Sequence, residues 1–216
     1  MQEFVVVTGI ILKTEPVGEY DRRVVILTDG RGKISAFAKG ARRQTSRLMA
    51  ATNPFSFGVF KLYEGRSSYN IMEANIQNYF EGLREDFVGA YYGMYFLEMA
   101  DYYTRENNDE LQMLKLLYQS LRALIHDKIP DELVKCIYEI KAIAVNGEFP
   151  GIPVGDKYLD STVYAVEFIA NSPIEKLYTF MVTKEVLEEL KEIASCYCRR
   201  FIDRKFKSLE ILETLY

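Results

Sequence analysis

The segment RVVILTDGRGKISAFAK, Arg23 to Lys39, predicts the architecture of the first third of the chain. Two runs rich in β-branched and apolar residues, Arg23–Thr28 and Lys33–Lys39, flank the turn DGRG, as expected for a β-hairpin. The second run alternates, because its even-numbered residues are apolar and its odd-numbered residues are Lys, Ser, Phe and Lys. This alternation predicts a strand with one face in a core and one face in solvent.

Similar short runs lie on both sides of this hairpin. Phe4–Lys13 precedes it, and Pro54–Gly65 and Ser68–Ile76 follow it. Five strands with glycine-containing turns and no long helix are typical of a small closed sheet. A five-stranded OB-type β-barrel is therefore expected, a fold whose face and loops commonly hold oligonucleotides.

From about Asn78 the apolar residues recur with a helical period instead. The pattern predicts several helices, the last beginning at Thr183, with Ser161 as the N-cap of an earlier one. The expected fold class is α+β, with an OB-type barrel domain at residues 1–79 followed by an all-α domain at residues 80–216.

Charge is distributed unevenly between these two parts. The chain has 216 residues and a net charge of -4, yet residues 1–80 hold 11 basic and 7 acidic residues. No acidic residue lies between Asp29 and Glu64, a window that contains seven basic residues. A loop that is merely solvated usually mixes both signs, so this window favours a site for a polyanion.

Arginine binds phosphate oxygens through a planar fork, and lysine adds positive charge. The candidate phosphate contacts are the six basic residues of the window that lie close together in sequence: Arg31, Lys33, Lys39, Arg42, Arg43 and Arg47. Six aromatic residues of the barrel half are candidates for base stacking, although the sequence does not tell which of them are exposed. They are Phe37, Phe55, Phe57, Phe60, Tyr63 and Tyr69. These patterns do not distinguish DNA from RNA.

Catalytic and metal-binding patterns are absent from the sequence. The single histidine, His126, is expected at a helix end on the surface, and no glycine-rich phosphate loop or nucleophile motif occurs. Cys196 and Cys198 point in nearly opposite directions on a helix, and Cys136 lies on an apolar helix face, so neither a metal site nor a disulfide is expected. The first residues predict a strand rather than a signal peptide, and no run is long and apolar enough for a membrane span. A cytoplasmic protein without cofactor or enzymatic activity is expected.

The residues from Gly9 to Gly65 resemble the N-terminal domain of the RecO family of bacterial recombination mediators. The motifs that carry the resemblance are LKT, GEYDRRV, GKISAFAKGARRQTSRL and PFS, in this order. In the second half, NGEFPGI and SPIEKLYTF are also similar to the family. The resemblance therefore extends over most of the chain.

This resemblance implies an OB fold followed by a helical domain. It also implies binding of single- and double-stranded DNA, annealing of complementary strands, and, with RecR, loading of RecA onto DNA coated by single-strand-binding protein. The acidic C-terminal tail of single-strand-binding protein is expected to dock on the helical domain of a cytoplasmic, nucleoid-associated protein. Many relatives have a four-cysteine zinc site, but the corresponding region here contains no cysteine, so zinc is expected to be absent.

An acidic tail with aromatic residues would dock in an apolar groove bordered by cations. The candidates, by position on the second and last helices, are Lys115, Arg122, Lys128, Arg199, Arg200, Arg204 and Lys205. Two alternatives stay open at this point: an OB-type RNA-binding module and an unrecognised nuclease.

Overall fold

The structure is a computed structural model that describes residues 4–65, 68–126, 128–151 and 157–214. Its first part contains five strands: β1 (Phe4–Val17), β2 (Asp21–Thr28), β3 (Lys33–Ala38), β4 (Phe57–Glu64) and β5 (Tyr69–Asn78). A one-turn helix, α1 (Leu48–Ala51), lies between β3 and β4. The strands close into a barrel in the order β1-β2-β3-β5-β4, so the predicted five-stranded barrel is confirmed.

The barrel closes because each strand places apolar side chains inside. In β3 the predicted alternation is confirmed, since Ile34, Ala36 and Ala38 are buried and the residues between them are only half-buried. Val24 of β2 and Phe60 of β4 join them in the same core. The β3–β5 pair is parallel, and every other neighbouring pair is antiparallel.

The second part of the chain is helical, as predicted. Its elements are α2 (Gly82–Glu85), α3 (Phe87–Tyr103), α4 (Leu111–Ile125), α5 (Asp131–Val145), α6 (Asp160–Asn171), α7 (Lys184–Phe201) and α8 (Lys207–Thr214). Thr183 begins α7 as predicted, because its side chain accepts a hydrogen bond from the backbone N–H of Val186. Within the described residues, no helix is both long enough and apolar enough to cross a bilayer.

Contacts divide the chain into two compact units. The barrel unit consists of residues 1–81 and 97–114, and the helical unit consists of residues 82–96 and 115–216. The barrel unit thus includes residues 97–114, which lie beyond the boundary that the change of periodicity predicts. A domain boundary between residues 79 and 80 stays a prediction.

The turn between β2 and β3 is fixed to this added segment. The backbone N–H of Lys33 donates to the carbonyl of Arg105 at 2.9 Å, and the N–H of Asn107 donates to the carbonyl of Arg31 at 3.0 Å. Gly32 has a φ of +63°, and a Cβ there would lie 2.2 Å from the Arg105 carbonyl oxygen. The second glycine of DGRG is therefore required both by its backbone conformation and by close packing.

Within the helical unit, a buried carboxylate joins α3 and α5. Glu139 of α5 is only 1% exposed, and it accepts a hydrogen bond from the Tyr95 hydroxyl at 2.7 Å. It also pairs with Lys135 at 2.9 Å. Burial, together with the nearby Glu139, raises the pKa of Tyr95 well above its ordinary value. The network keeps each of these polar groups satisfied inside the unit.

The start of α6 corrects one expectation. Ser161 lies inside the helix, and the N-cap position belongs to Leu159, whose side chain cannot accept a hydrogen bond. Glu189 of α7 replaces the missing cap, because its carboxylate accepts hydrogen bonds from the Leu159 N–H at 3.0 Å and from the Thr162 hydroxyl. A negative charge at a helix N-terminus is also favoured by the helix dipole.

Candidate nucleic-acid interface

The candidate interface centres on the segment between β3 and α1, Lys39 to Arg47, here called the basic loop. Its first part is held against the turn that joins β1 to β2. The Gly40 N–H donates to the Asp21 carboxylate at 2.7 Å, and the Arg42 N–H donates to the Tyr20 carbonyl at 2.8 Å. The Arg42 guanidinium also donates to the Gly18 carbonyl at 3.0 Å. The loop therefore has a defined path along one end of the barrel.

Arg22 fixes the chain that follows the loop. One nitrogen of its guanidinium, Nη1, lies 2.8 Å from the Met49 carbonyl, 2.8 Å from the Thr52 hydroxyl and 3.0 Å from the Asn53 amide oxygen. Burial, and then the neighbouring charge of Arg42, lower the pKa of Arg22 from its ordinary value. Arg22 thus ties the start of β2 to α1 and the residues after it.

The sequence analysis did not single out Arg22, although the strand pattern contains a signal that could have identified it. Strand residues two apart share a face, and Arg22 has the same phase as Val24 and Ile26, which are fully buried. A cation on the core phase of a strand needs buried or half-buried acceptors. Here those acceptors come from residues 27 to 31 positions further along the chain.

Four of the six predicted phosphate contacts lie together on the basic loop and are exposed: Lys39, Arg42, Arg43 and Arg47. Among the described residues, no carboxylate forms an ion pair with any of these four side chains. The guanidinium of Arg43 lies over the ring of Tyr20, at 4.9 Å from its centroid. The loop therefore presents several unneutralised charges to solvent.

The other two predicted contacts, Arg31 and Lys33, are placed differently. Lys33 pairs with Asp101 at 2.9 Å, and Arg31 lies 3.7 Å from the carboxylate of Glu64. Their charges are partly neutralised by acids that lie outside the acid-free window of the sequence. A role for Arg31 and Lys33 in phosphate binding stays a prediction, and the basic loop is the stronger candidate.

The barrel aromatics divide into buried and accessible rings. Phe60 and Tyr69 are buried in the core, whereas the remaining sequence candidates are half-buried: Phe37, Phe55, Phe57 and Tyr63. Phe4 and Tyr20, which sequence reasoning did not single out, are 47% and 44% exposed. Accessible rings therefore occur both beside the basic loop and elsewhere on the barrel.

In the helical unit, five of the seven predicted partner-binding cations line two grooves. Arg122 and Lys128 border a cavity of about 440 Å³, together with His126, which is exposed as predicted. Its apolar lining includes Ile129, Tyr178, Phe180 and Met181. Lys115, which does not line this cavity, pairs with Glu175 at 3.9 Å.

The second groove, of about 370 Å³, lies beside α8. It is bordered by Arg199, Arg204 and Lys205, but also by three acids, Asp203, Glu210 and Glu213. Arg200 does not line it, and its guanidinium lies 5.3 Å from the centroid of the Phe201 ring. Among the described residues that line the first groove, Glu175 is the one acid, so that groove suits an acidic ligand better.

The expected absence of a zinc site stays a prediction, because part of the corresponding region lies outside the described residues. Among the described residues, no group of three or more His, Cys, Asp or Glu side chains could hold a metal ion. Residues 152–156, which belong to the corresponding region, lie outside the described part of the chain. Beside them, the Tyr197 hydroxyl donates to the Gly151 carbonyl at 2.9 Å, and the Phe149 ring packs edge-on against Tyr197.

Two of the three cysteines, Cys136 and Cys198, have thiols that are poorly suited to nucleophilic chemistry. Cys136 is buried as predicted, and burial raises the pKa of its thiol to about 12. Burial likewise raises the pKa of the Cys198 thiol. A nucleophilic cysteine needs the opposite shift, because the thiolate is the reactive form.

Comparisons with known proteins match both parts of the chain to one family. The family described as Recombination protein O N terminal matches residues 1–80, and Recombination protein O C terminal matches residues 84–151 and 153–210. The chain is 26% identical, over 241 residues, to a DNA repair protein RecO of Acetivibrio thermocellus, with 96% of both chains covered. It is 35% identical to that of Alkaliphilus metalliredigens over 142 residues, which cover 66% of this chain and 58% of the relative. With that of Clostridium perfringens it shares 27% identity over 237 residues, which cover 95% of this chain and 96% of the relative.

Proposed function

The chain belongs to the RecO family of DNA repair and recombination proteins, and on that premise we propose that it is a recombination mediator. In this role it binds single- and double-stranded DNA and anneals complementary strands. With RecR it helps to load RecA onto single-stranded DNA that single-strand-binding protein covers. The proposed role is not enzymatic and is carried out in the cytoplasm, at the nucleoid.

One observation supports DNA binding most strongly: the basic loop is fixed to the barrel and leaves Lys39, Arg42, Arg43 and Arg47 exposed without ion-pair partners among the described residues. Contacts to phosphate oxygens carry no sequence information directly. A mediator needs this property, because it must act on any strand. Cations that neutralise the phosphates of one strand also reduce the repulsion that a complementary strand meets on approach.

A competition experiment tests the choice of nucleic acid. A fluorescent single-stranded DNA bound to the protein is displaced by unlabelled DNA or RNA of the same sequence, and annealing of complementary DNA strands is followed under the same conditions. We expect DNA to compete at least as well as RNA, and the protein to accelerate annealing without cleaving either strand in Mg²⁺. Clear preference for RNA would support the alternative of an RNA-binding module, because an RNA reader responds to the 2′-hydroxyl.

The helical unit is proposed to dock the acidic C-terminal tail of single-strand-binding protein. The groove beside α4 supports this proposal, because its cations, Arg122 and Lys128, flank the apolar surface of Tyr178, Phe180 and Met181. Carboxylates of the tail would face the cations, and its apolar residues would enter the cavity. RecR is proposed as a second protein partner from the family alone.

Reversing the two cations, with Arg122→Glu and Lys128→Glu in one variant, is expected to weaken binding of an acidic peptide that ends in phenylalanine by about tenfold or more. Fluorescence polarisation of the labelled peptide measures this effect. Lys184→Glu with Lys207→Glu, two exposed cations that line neither groove, is the matched control. Equal losses in both variants would point to net charge, and a loss only after Arg204→Glu and Lys205→Glu would place the peptide in the second groove.

A further inference from the structure

Phe37 lies on the outer face of β3, at the centre of a group of polar neighbours. Its inward-facing neighbours in sequence, Ala36 and Ala38, are both fully buried, so the Phe37 side chain points away from the core. The side chain is half-buried. Among the described residues, its ring has no contact with another ring or with a cation. A large ring on the outside of a barrel, without such a partner, is available to a ligand.

Cross-strand pairing defines the neighbours of this ring. Arg23 of β2 lies directly opposite Phe37 on one side, and Asn70 of β5 lies directly opposite it on the other. Directly opposite residues on neighbouring strands are close enough for their side chains to touch. Asn70 also faces outward, because Tyr69 and Ile71 on either side of it are buried. Phe37 is therefore paired with an arginine on one neighbouring strand and with an asparagine on the other.

The guanidinium of Arg23 is oriented along β3. Its Nε donates to the Ser35 hydroxyl at 2.9 Å, and Ser35 lies two residues before Phe37 on the same face. Glu15, opposite Arg23 on β1, is itself paired with Lys13 at 2.7 Å. Among the described residues, the two terminal nitrogens of Arg23 make no hydrogen bond and no ion pair, so they can bind an anion.

The same face continues into the basic loop. Lys39, its first residue, lies two positions after Phe37 and is exposed. A strand of nucleic acid that follows the cations of the basic loop therefore passes Lys39 and reaches Phe37 within one nucleotide or two. Positive charge, a partly exposed ring and continuity with the loop all suit the same occupant.

We infer that Phe37 is a stacking platform for a base of single-stranded nucleic acid, flanked by Asn70 at the base edge and by Arg23 and Lys39 at the phosphates. The inference rests on the proposed function and deepens it, because it assigns selectivity for single strands to one ring. In a duplex the faces of the bases are covered by neighbouring bases, so a duplex can contact this surface only through its backbone. The basic loop binds both forms, and Phe37 adds affinity only for the unpaired one.

Three ligands of equal length test the inference: a single-stranded DNA, the same strand with abasic sites in place of bases, and the duplex. We expect Phe37→Ala to weaken binding of the single strand by at least fivefold, the lower end of the effect of a stacked base. Binding of the abasic strand and of the duplex should change by less than about twofold, which also shows that the variant folds. Phe37→Tyr keeps the ring and should bind all three ligands like the natural protein.

Phe4→Ala is the control, because Phe4 is a second barrel aromatic with an accessible ring, and Lys61 lies 5.3 Å from its ring centroid. Equal losses for all three ligands, no loss for the single strand, or the same selective loss in Phe4→Ala would each overturn the inference. The proposed function would still stand after any of these outcomes if the natural protein bound all three ligands tightly. If the natural protein bound none of the ligands, the proposed function itself would fail.

Discussion

Replacement of Arg42, Arg43 and Arg47 together by glutamine is expected to lower the affinity for single-stranded DNA by about 100-fold at moderate salt. The three side chains are exposed on the basic loop, and none has an ion-pair partner among the described residues. Their charge is thus available to phosphates, and glutamine removes it while keeping a long polar side chain. Equilibrium binding to a labelled oligonucleotide measures the loss, and strand annealing should slow in parallel.

A second triple variant controls for net charge. Lys176→Gln, Lys184→Gln and Lys207→Gln remove the same charge from exposed positions of the helical unit. We expect this variant to lose less than about threefold in affinity, because exposed charges far from a ligand are screened by salt. Comparable losses in the two variants would show that the protein attracts DNA by its overall charge and not by the basic loop.

Arg22→Met is expected to lower the free energy of unfolding by about 3 kcal/mol, because it removes charge-assisted hydrogen bonds to three acceptors. One of these acceptors, the Thr52 hydroxyl, belongs to a fully buried residue. Since the same side chain holds the segment after the basic loop, DNA affinity of the folded variant should also fall, by about tenfold. Denaturant unfolding and DNA binding measure the two effects.

Arg22→Lys supplies the control for this prediction. All three hydrogen bonds come from one guanidinium nitrogen, and an ammonium group carries three donors that suit the same acceptors. We expect the lysine variant to retain more stability and more DNA affinity than the methionine variant. A methionine variant as stable as the natural protein would show that Arg22 does not hold this segment.

The barrel was predictable because its information is local. The turn DGRG and the alternation of Lys33–Lys39 determine a hairpin over a few residues, and the structure places these strands within a residue or two of the prediction. Less local features were missed. β1 runs on to Val17, and β4 begins only at Phe57, after Phe55 adopts a positive φ of 73°. Bulky residues rarely adopt such a backbone, so sequence patterns do not indicate it.

The candidate site was predictable only in part, for the same physical reason. The acid-free window predicted six available cations, but acids that lie outside the window in sequence can lie close to these cations in the folded chain. Folding brings Asp101 to Lys33, 68 residues away along the chain, and Glu64 to Arg31. Only a long-range contact could reveal this neutralisation. The basic loop keeps its exposed charge, since no carboxylate of the described residues forms an ion pair with its Lys or Arg side chains.

The most direct test of the central claim, that the basic loop binds DNA phosphates, is the salt dependence of binding. Each phosphate contact releases counterions, so the slope of log affinity against log salt measures the number of contacts, with about 0.7 per contact for a single strand. We predict that the variant without the charges of Arg42, Arg43 and Arg47 has a slope smaller in magnitude by about 2 than the natural protein. The same slope in both proteins would contradict the account, because the three side chains would then make no phosphate contact.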